Sequence, residues 1–116
     1  MLIRIDADSP TAIFDQVAAS IRADIVSGRV VQGDRLPTAR EVASALDINV
    51  HTVLRAYQQL RDEGLVDLRR GRGAVVSASA AALTDLAQEI HALVARAAQL
   101  GVSATTLAAL VKETAP

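Results

Sequence analysis

Two helix-start signals, Thr38 and Asn49, stand so close together that the helix between them has room for only about two turns. Thr38-Ala39-Arg40-Glu41 reads as a capping box, in which the Thr38 hydroxyl accepts from the Glu41 amide and the Glu41 carboxylate reaches back. Val42 and Leu46 then share an inward face. Asp47-Ile48 leaves only a tight connection before Asn49 caps the next helix, whose stripe of Val53, Tyr57 and Leu60 ends at Gly64. Two short helices joined so tightly form a helix-turn-helix candidate. The next dozen residues strengthen that reading. Leu65-Val66-Asp67-Leu68-Arg69 alternates as a strand, Arg70-Gly71-Arg72-Gly73 turns, and Ala74-Val75-Val76 forms a second strand. A hairpin tipped with arginines, directly after the second helix of the pair, is the wing of a winged helix.

The rest of the chain frames this unit. Leu2, Ile3 and Ile5 suggest a short extended start. Ser9-Pro10 reads as a cap followed by proline at the first helical position. Ile13, Val17, Ile21 and Ile25 recur every fourth residue, which predicts a helix from about Pro10 to Ser27. Residues 77–82 are small and read as a linker. Beyond them Leu83, Leu86, Ile90, Leu93, Ala97 and Leu100 keep three- and four-residue steps to Gly101, a heptad pattern. Ser103 caps a last helix carrying Leu107, Leu110 and Val111. The expected architecture is mostly α with a small β-hairpin. A winged helix-turn-helix domain spans residues 1–76, and a linker with a two-helix dimerisation tail spans 77–116.

Composition sets the function classes. The chain has 116 residues, about one domain, with 51% hydrophobic residues but only one Phe and one Tyr, so its core is aliphatic. It lacks cysteine, which excludes disulfides and thiolate metal sites. No apolar run approaches the ~20 residues of a membrane span, and the N-terminus has no signal-peptide pattern, so the expectation is a cytoplasmic protein. The net charge of −1 is unlike the basic footprint of many DNA binders. Its distribution matters more: residues 35–76 hold 7 basic and 5 acidic side chains, a net of +2, whereas residues 1–34 hold 3 and 5, a net of −2. Eleven of the twelve basic residues are arginine, which reads guanine edges and narrow minor grooves.

From Ala12 to Val76 the chain resembles the N-terminal domain of the GntR family of bacterial regulators. The similarity rests on AIFDQV, GDRLPTAREVA, TVLRAYQQLRDEGLV and RRGRGAVV, taken in that order and spacing. The short tail resembles the YtrA-type branch of that family. Ala12 and Gln32 stand where the family usually has proline, and Val50 and His51 where many members place an arginine. The resemblance implies a sequence-specific transcription regulator of the repressor kind, which binds double-stranded DNA as a homodimer on a palindromic operator.

It also implies roles. Arg40 is the arginine that reaches a guanine in the major groove, against the plainer reading of a surface arginine paired with Glu41 or Asp47. Asn49 and Thr52 resemble phosphate and base contacts at a helix N-terminus, although Asn49 also serves as a cap. His51 and Arg55 lie on the same exposed face, where Arg55 either reads a base or pairs with Asp62 or another acid. Arg72 matches the wing-tip residue that enters the minor groove, with Arg69 and Arg70 as phosphate neighbours. Tyr57 reads as core, by its spacing with Val53 and Leu60.

The stripe Leu83, Leu86, Ile90, Leu93 and Leu100 either folds back within one chain or forms the dimer seam, and palindromic operators favour the seam. Such a tail leaves little room for the roughly 300 Å3 that small ligands occupy, so an effector is expected at a dimer interface or not at all. Some GntR-type chains continue into a pyridoxal-phosphate domain, which needs a Schiff-base lysine. The only lysine here is Lys112, so no enzyme and no cofactor are expected. His51 and His91 are the only histidines, far apart and without acidic neighbours, so neither suggests a metal site. A winged helix used purely for protein contact is the remaining alternative.

Overall fold

A computed structural model describes all residues, Met1–Pro116. It contains α1 (Ile13–Val26), α2 (Ala39–Leu46), α3 (Val50–Asp62), β1 (Val66–Arg69), β2 (Gly73–Val76), α4 (Ser79–Gln99) and α5 (Ala104–Thr114). The chain divides into two compact units, Met1–Thr84 and Asp85–Pro116.

In the first unit α1 and α2 both pack on α3. The four-residue repeat of α1 buries Val17, Ile21 and Ile25 completely against Val53 and Leu60 of α3 and against Val66 and Val76 of the hairpin. Burying each of these side chains is worth about 1.5–3 kcal/mol in transfer terms. Tyr57 joins them, as its spacing requires, and its phenol donates to the Pro37 carbonyl at 2.5 Å. Burial, and then the Glu41 carboxylate, push that phenol above its usual range, so it stays a neutral donor. This bond ties the extended approach to α2 onto α3. Arg22 and Glu63 add a two-pronged ion pair between α1 and the end of α3, at 2.9 and 2.7 Å.

The caps of the helix pair form as the sequence indicates. Glu41 N donates to Thr38 Oγ1 at 3.1 Å, and Thr38 N donates to the Glu41 carboxylate at 3.2 Å. Asp47 turns the chain in the left-handed region (φ 54°), where a short polar side chain is tolerated. Asn49 Oδ1 then accepts from His51 N at 2.8 Å.

Helix α1 begins three residues later than Ser9-Pro10 predicts. Ser9 instead accepts from Thr11 N in a local turn, and the Gln16 side-chain amide donates to the carbonyls of Asp6 and Thr11. Those bonds hold residues 6–11 out of the helix, and Ala12 occupies the N-cap with no side-chain bond. The N-terminal segment forms no strand, although Ile3 is buried.

The hairpin pairs Val66 with Val76 through Arg69 with Gly73, antiparallel. Its alternation differs from expectation, because Leu65 and Val66 are both buried and Leu68 is exposed. Strand β2 is also bonded along its second edge. Arg35 bridges Val75, Leu36 N donates to Ala74 O at 2.9 Å, and Val76 N donates to Asp34 O at 2.8 Å. The base of the wing is thus held by the segment that leads into α2.

Residues 77–82 are not a linker. Ser77 is buried and donates to the Gly64 carbonyl, Ala80 enters the core, and α4 is already helical from Ser79. Leu83 is half-buried and packs on the core of the first unit, so it does not belong to an open seam.

In the second unit α4 ends at Gln99 and the chain turns at Gly101, whose positive φ of 78° lets Val102 N donate back to Ala97 O at 2.8 Å. Ser103 caps α5 by accepting from Thr106 N at 3.1 Å. Ala97 is buried, but α5 buries no residue. Leu86, Ile90, Leu93 and Leu100 all stand exposed, as do Leu110 and Val111. No helix is long and apolar enough to cross a membrane.

Candidate nucleic-acid interface

The arginines sort by what holds them. Arg40, the second residue of α2, is exposed and makes no ion pair, since the Glu41 carboxylate is engaged by the capping box. The bond with Glu41 or Asp47 that would make it a plain surface residue is absent. Its guanidinium keeps a free fork of donors and a full charge.

Asn49 does cap α3, but through Oδ1 only, which leaves its amide N–H groups free to donate outward. His51 is exposed beside it, whereas Thr52 is half-buried. Arg55 lies on the exposed face of α3 and does not pair with Asp62, which instead faces Arg61 at 3.4 Å. It is stacked over the Phe14 ring, 3.8 Å from the centroid.

On the wing, Arg70 and Arg72 are exposed and unpaired, and Arg69 lies 3.6 Å from Asp67. The tip closes through Arg72 N to Arg69 O at 3.0 Å, between Gly71 and Gly73, both at positive φ. Glycine fits such a turn without strain.

A cleft of about 480 Å3 runs between the wing and the helix pair, with Arg35, Thr38, Leu54, Leu68, Arg70 and Arg72 among its walls. Arg69 also lines it, so the structure gathers the three wing arginines with Arg35 around one hollow. Arg35 is not among the residues that the sequence singles out. Nothing local marks it; its place comes from pairing with Val75, some 40 residues away in the chain. Arg55 does not join this group, lying over α1 instead.

A buried three-helix core, a helix pair with a tight left-handed turn, and a wing carrying free arginines define a winged helix-turn-helix transcription regulator, a class of DNA-binding proteins and not of enzymes. The pattern described as "Bacterial regulatory proteins, gntR family" matches residues 13–76, more than half of the chain, which belongs to that family. The HTH-type transcriptional repressor YtrA of Bacillus subtilis is 31% identical over 118 residues, covering 97% of this chain and 91% of YtrA. The HTH-type transcriptional regulator Rv1152 of Mycobacterium tuberculosis is 33% identical over 75 residues, covering 65% of this chain and 62% of its own. Among solved structures, YtrA from Sulfolobus acidocaldarius superimposes with a TM-score of 0.62 at 36% identity, covering 79% of this chain and 99% of that one. A GntR family regulator from Listeria monocytogenes gives 0.63 at 26% identity, covering 96% and 100%.

Proposed function

We propose that this protein is a cytoplasmic repressor that binds a palindromic operator as a homodimer. In this reading the winged unit holds DNA and the tail joins two copies. The observation that carries it is the set of unneutralised arginines, Arg40, Arg70 and Arg72, presented by α2 and the wing in front of one aliphatic core. Likeness to a named repressor along nearly the whole chain supports repression.

Arg40 supplies the guanine contact, Asn49, His51 and Thr52 enter the groove with the start of α3, and Arg55, Arg69 and Arg70 take phosphates. Arg72 inserts into the adjacent minor groove. The exposed faces of Leu86, Ile90, Leu93 and Leu100 form the seam. Selection of duplexes from a random pool tests the reading. The recovered sites should show two inverted half-sites, spaced by about one DNA turn of 34 Å or a small multiple. A pool that stays random after selection rules the function out.

The wing has its own expectation. Arg72→Ala should weaken binding most where the flank is A·T-rich, because a narrow minor groove concentrates negative potential. The slope of log affinity against log salt should also become shallower, because one cation fewer displaces the counterions condensed on the duplex. Affinity measured at several salt concentrations on A·T-rich and G·C-rich flanks checks both. Equal affinity to the parent on every flank would reduce the wing to a structural hairpin.

A further inference from the structure

We propose that Phe14 is a positioning residue for DNA binding, its ring holding the Arg55 guanidinium toward a backbone phosphate on the α1 flank of α3. The proposal rests on the reading that α3 enters a DNA groove. Phe14 is the only phenylalanine in the chain and the second residue of α1. It is half-buried and packs on the core, so its ring is a fixed surface. The guanidinium lies 3.8 Å from the ring centroid, well inside the range of a cation–π contact.

The kind of partner matters. Arg22 and Arg29 are each held by a carboxylate, at 2.7 and 2.8 Å, which orients the side chain but offsets its charge. Arg55 is held by a ring and by no acid. An aromatic face restrains the fork without neutralising it, and leaves its N–H edge unsatisfied. That is the arrangement a pre-organised anion contact requires, since less side-chain freedom is lost on binding.

The side of the helix chooses the target. Leu54 faces the wing cleft with Arg35, Arg70 and Arg72, whereas its neighbour Arg55 is drawn to α1. A helix seated in the major groove has a phosphate wall along each flank. Arg55 therefore serves the wall opposite the one served by the wing.

A double-mutant cycle tests this on a duplex that the parent protein selects from a random pool. Phe14→Leu should weaken binding about fivefold, the equivalent of one solvent-facing cation–π contact. Arg55→Ala should weaken it more and reduce the salt slope by about 0.9. In the Arg55→Ala background, Phe14→Leu should cost nothing further, and Phe14→Tyr should bind like the parent. Losses that simply multiply, or an unchanged salt slope in Arg55→Ala, overturn the proposal.

If Phe14→Leu fails to fold by its melting profile, Arg55→Lys decides. It should keep the parent's salt slope yet bind about fivefold more weakly, because a compact ammonium is not set by the ring as a planar fork is. Affinity equal to the parent's would overturn the idea. A parent protein that selects no duplex would defeat this proposal together with the function it rests on, whereas multiplying losses on a well-bound duplex would defeat this one alone.

Discussion

Ile90→Asp is expected to yield a protein of one-subunit mass, 12.2 kDa, whose winged unit remains folded. Ile90 is 45% exposed at the middle of the α4 stripe, flanked by Leu86 and Leu93, each 48% exposed. None of the three belongs to the core of the first unit. A carboxylate there costs the isolated subunit little, because it remains in water. In a two-fold seam the same group meets its own copy in an apolar setting, where an unpaired charge is costly to bury. The parent should sediment at twice the mass at micromolar concentration. The variant should lose about 100-fold or more on a full operator, because the second half-site no longer benefits from high effective concentration. Its affinity for a single half-site should be unchanged. A parent that sediments as one subunit would falsify the seam. So would a variant that unfolds outright, since that would place Ile90 in the subunit's own core.

Arg40→Ala should cost about 1–3 kcal/mol on the selected operator and much less on a random duplex of the same length. The difference comes from what the side chain touches. A bidentate contact to guanine O6 and N7 discriminates among bases, whereas a phosphate contact weakens all sequences alike. Folding should be indifferent to the change, because Arg40 is exposed, pairs with no acid and stands outside the capping box. Titration of both duplexes at one salt concentration decides the matter. Equal losses on the two would make Arg40 a phosphate contact.

The parts legible in the sequence are those decided by neighbours in the chain. The capping box of Thr38 and Glu41, the Asn49 cap and the turn at Asp47 each depend on a few consecutive residues, and each forms. Errors arise where distant partners decide. Ser9-Pro10 carries a good helix-start signature, but Gln16 recruits the carbonyls of Asp6 and Thr11 and delays the helix. The alanines of residues 77–82 read as a linker because they are small. Ala80 is small for another reason, since it fits into the core. Leu83 keeps the heptad step of the tail yet packs on the winged unit, so periodicity alone does not separate the two roles. In the interface, the free state of Arg40 and Arg72 comes from local geometry, whereas the Arg55–Phe14 stack joins residues 41 positions apart and leaves no periodic trace.

Strand β2, hydrogen-bonded along both sides, has a consequence for how the protein behaves when crowded. A bare sheet edge is a template for another chain's backbone, and such pairing is a route to aggregation. In the wing, the strand richest in β-branched residues, ending in Val75-Val76, has no bare edge: β1 takes one side and the Asp34–Leu36 segment the other. The outer edge left to the sheet is that of β1, which carries Asp67 and Arg69. Charges on an edge discourage a second strand from docking there. Leu68 is exposed on β1 itself, but most of the large exposed apolar side chains, among them Leu86, Ile90, Leu93, Leu110 and Val111, stand on helices, whose backbones are already satisfied. Association through such faces can join side chains without drawing the wing into a growing sheet.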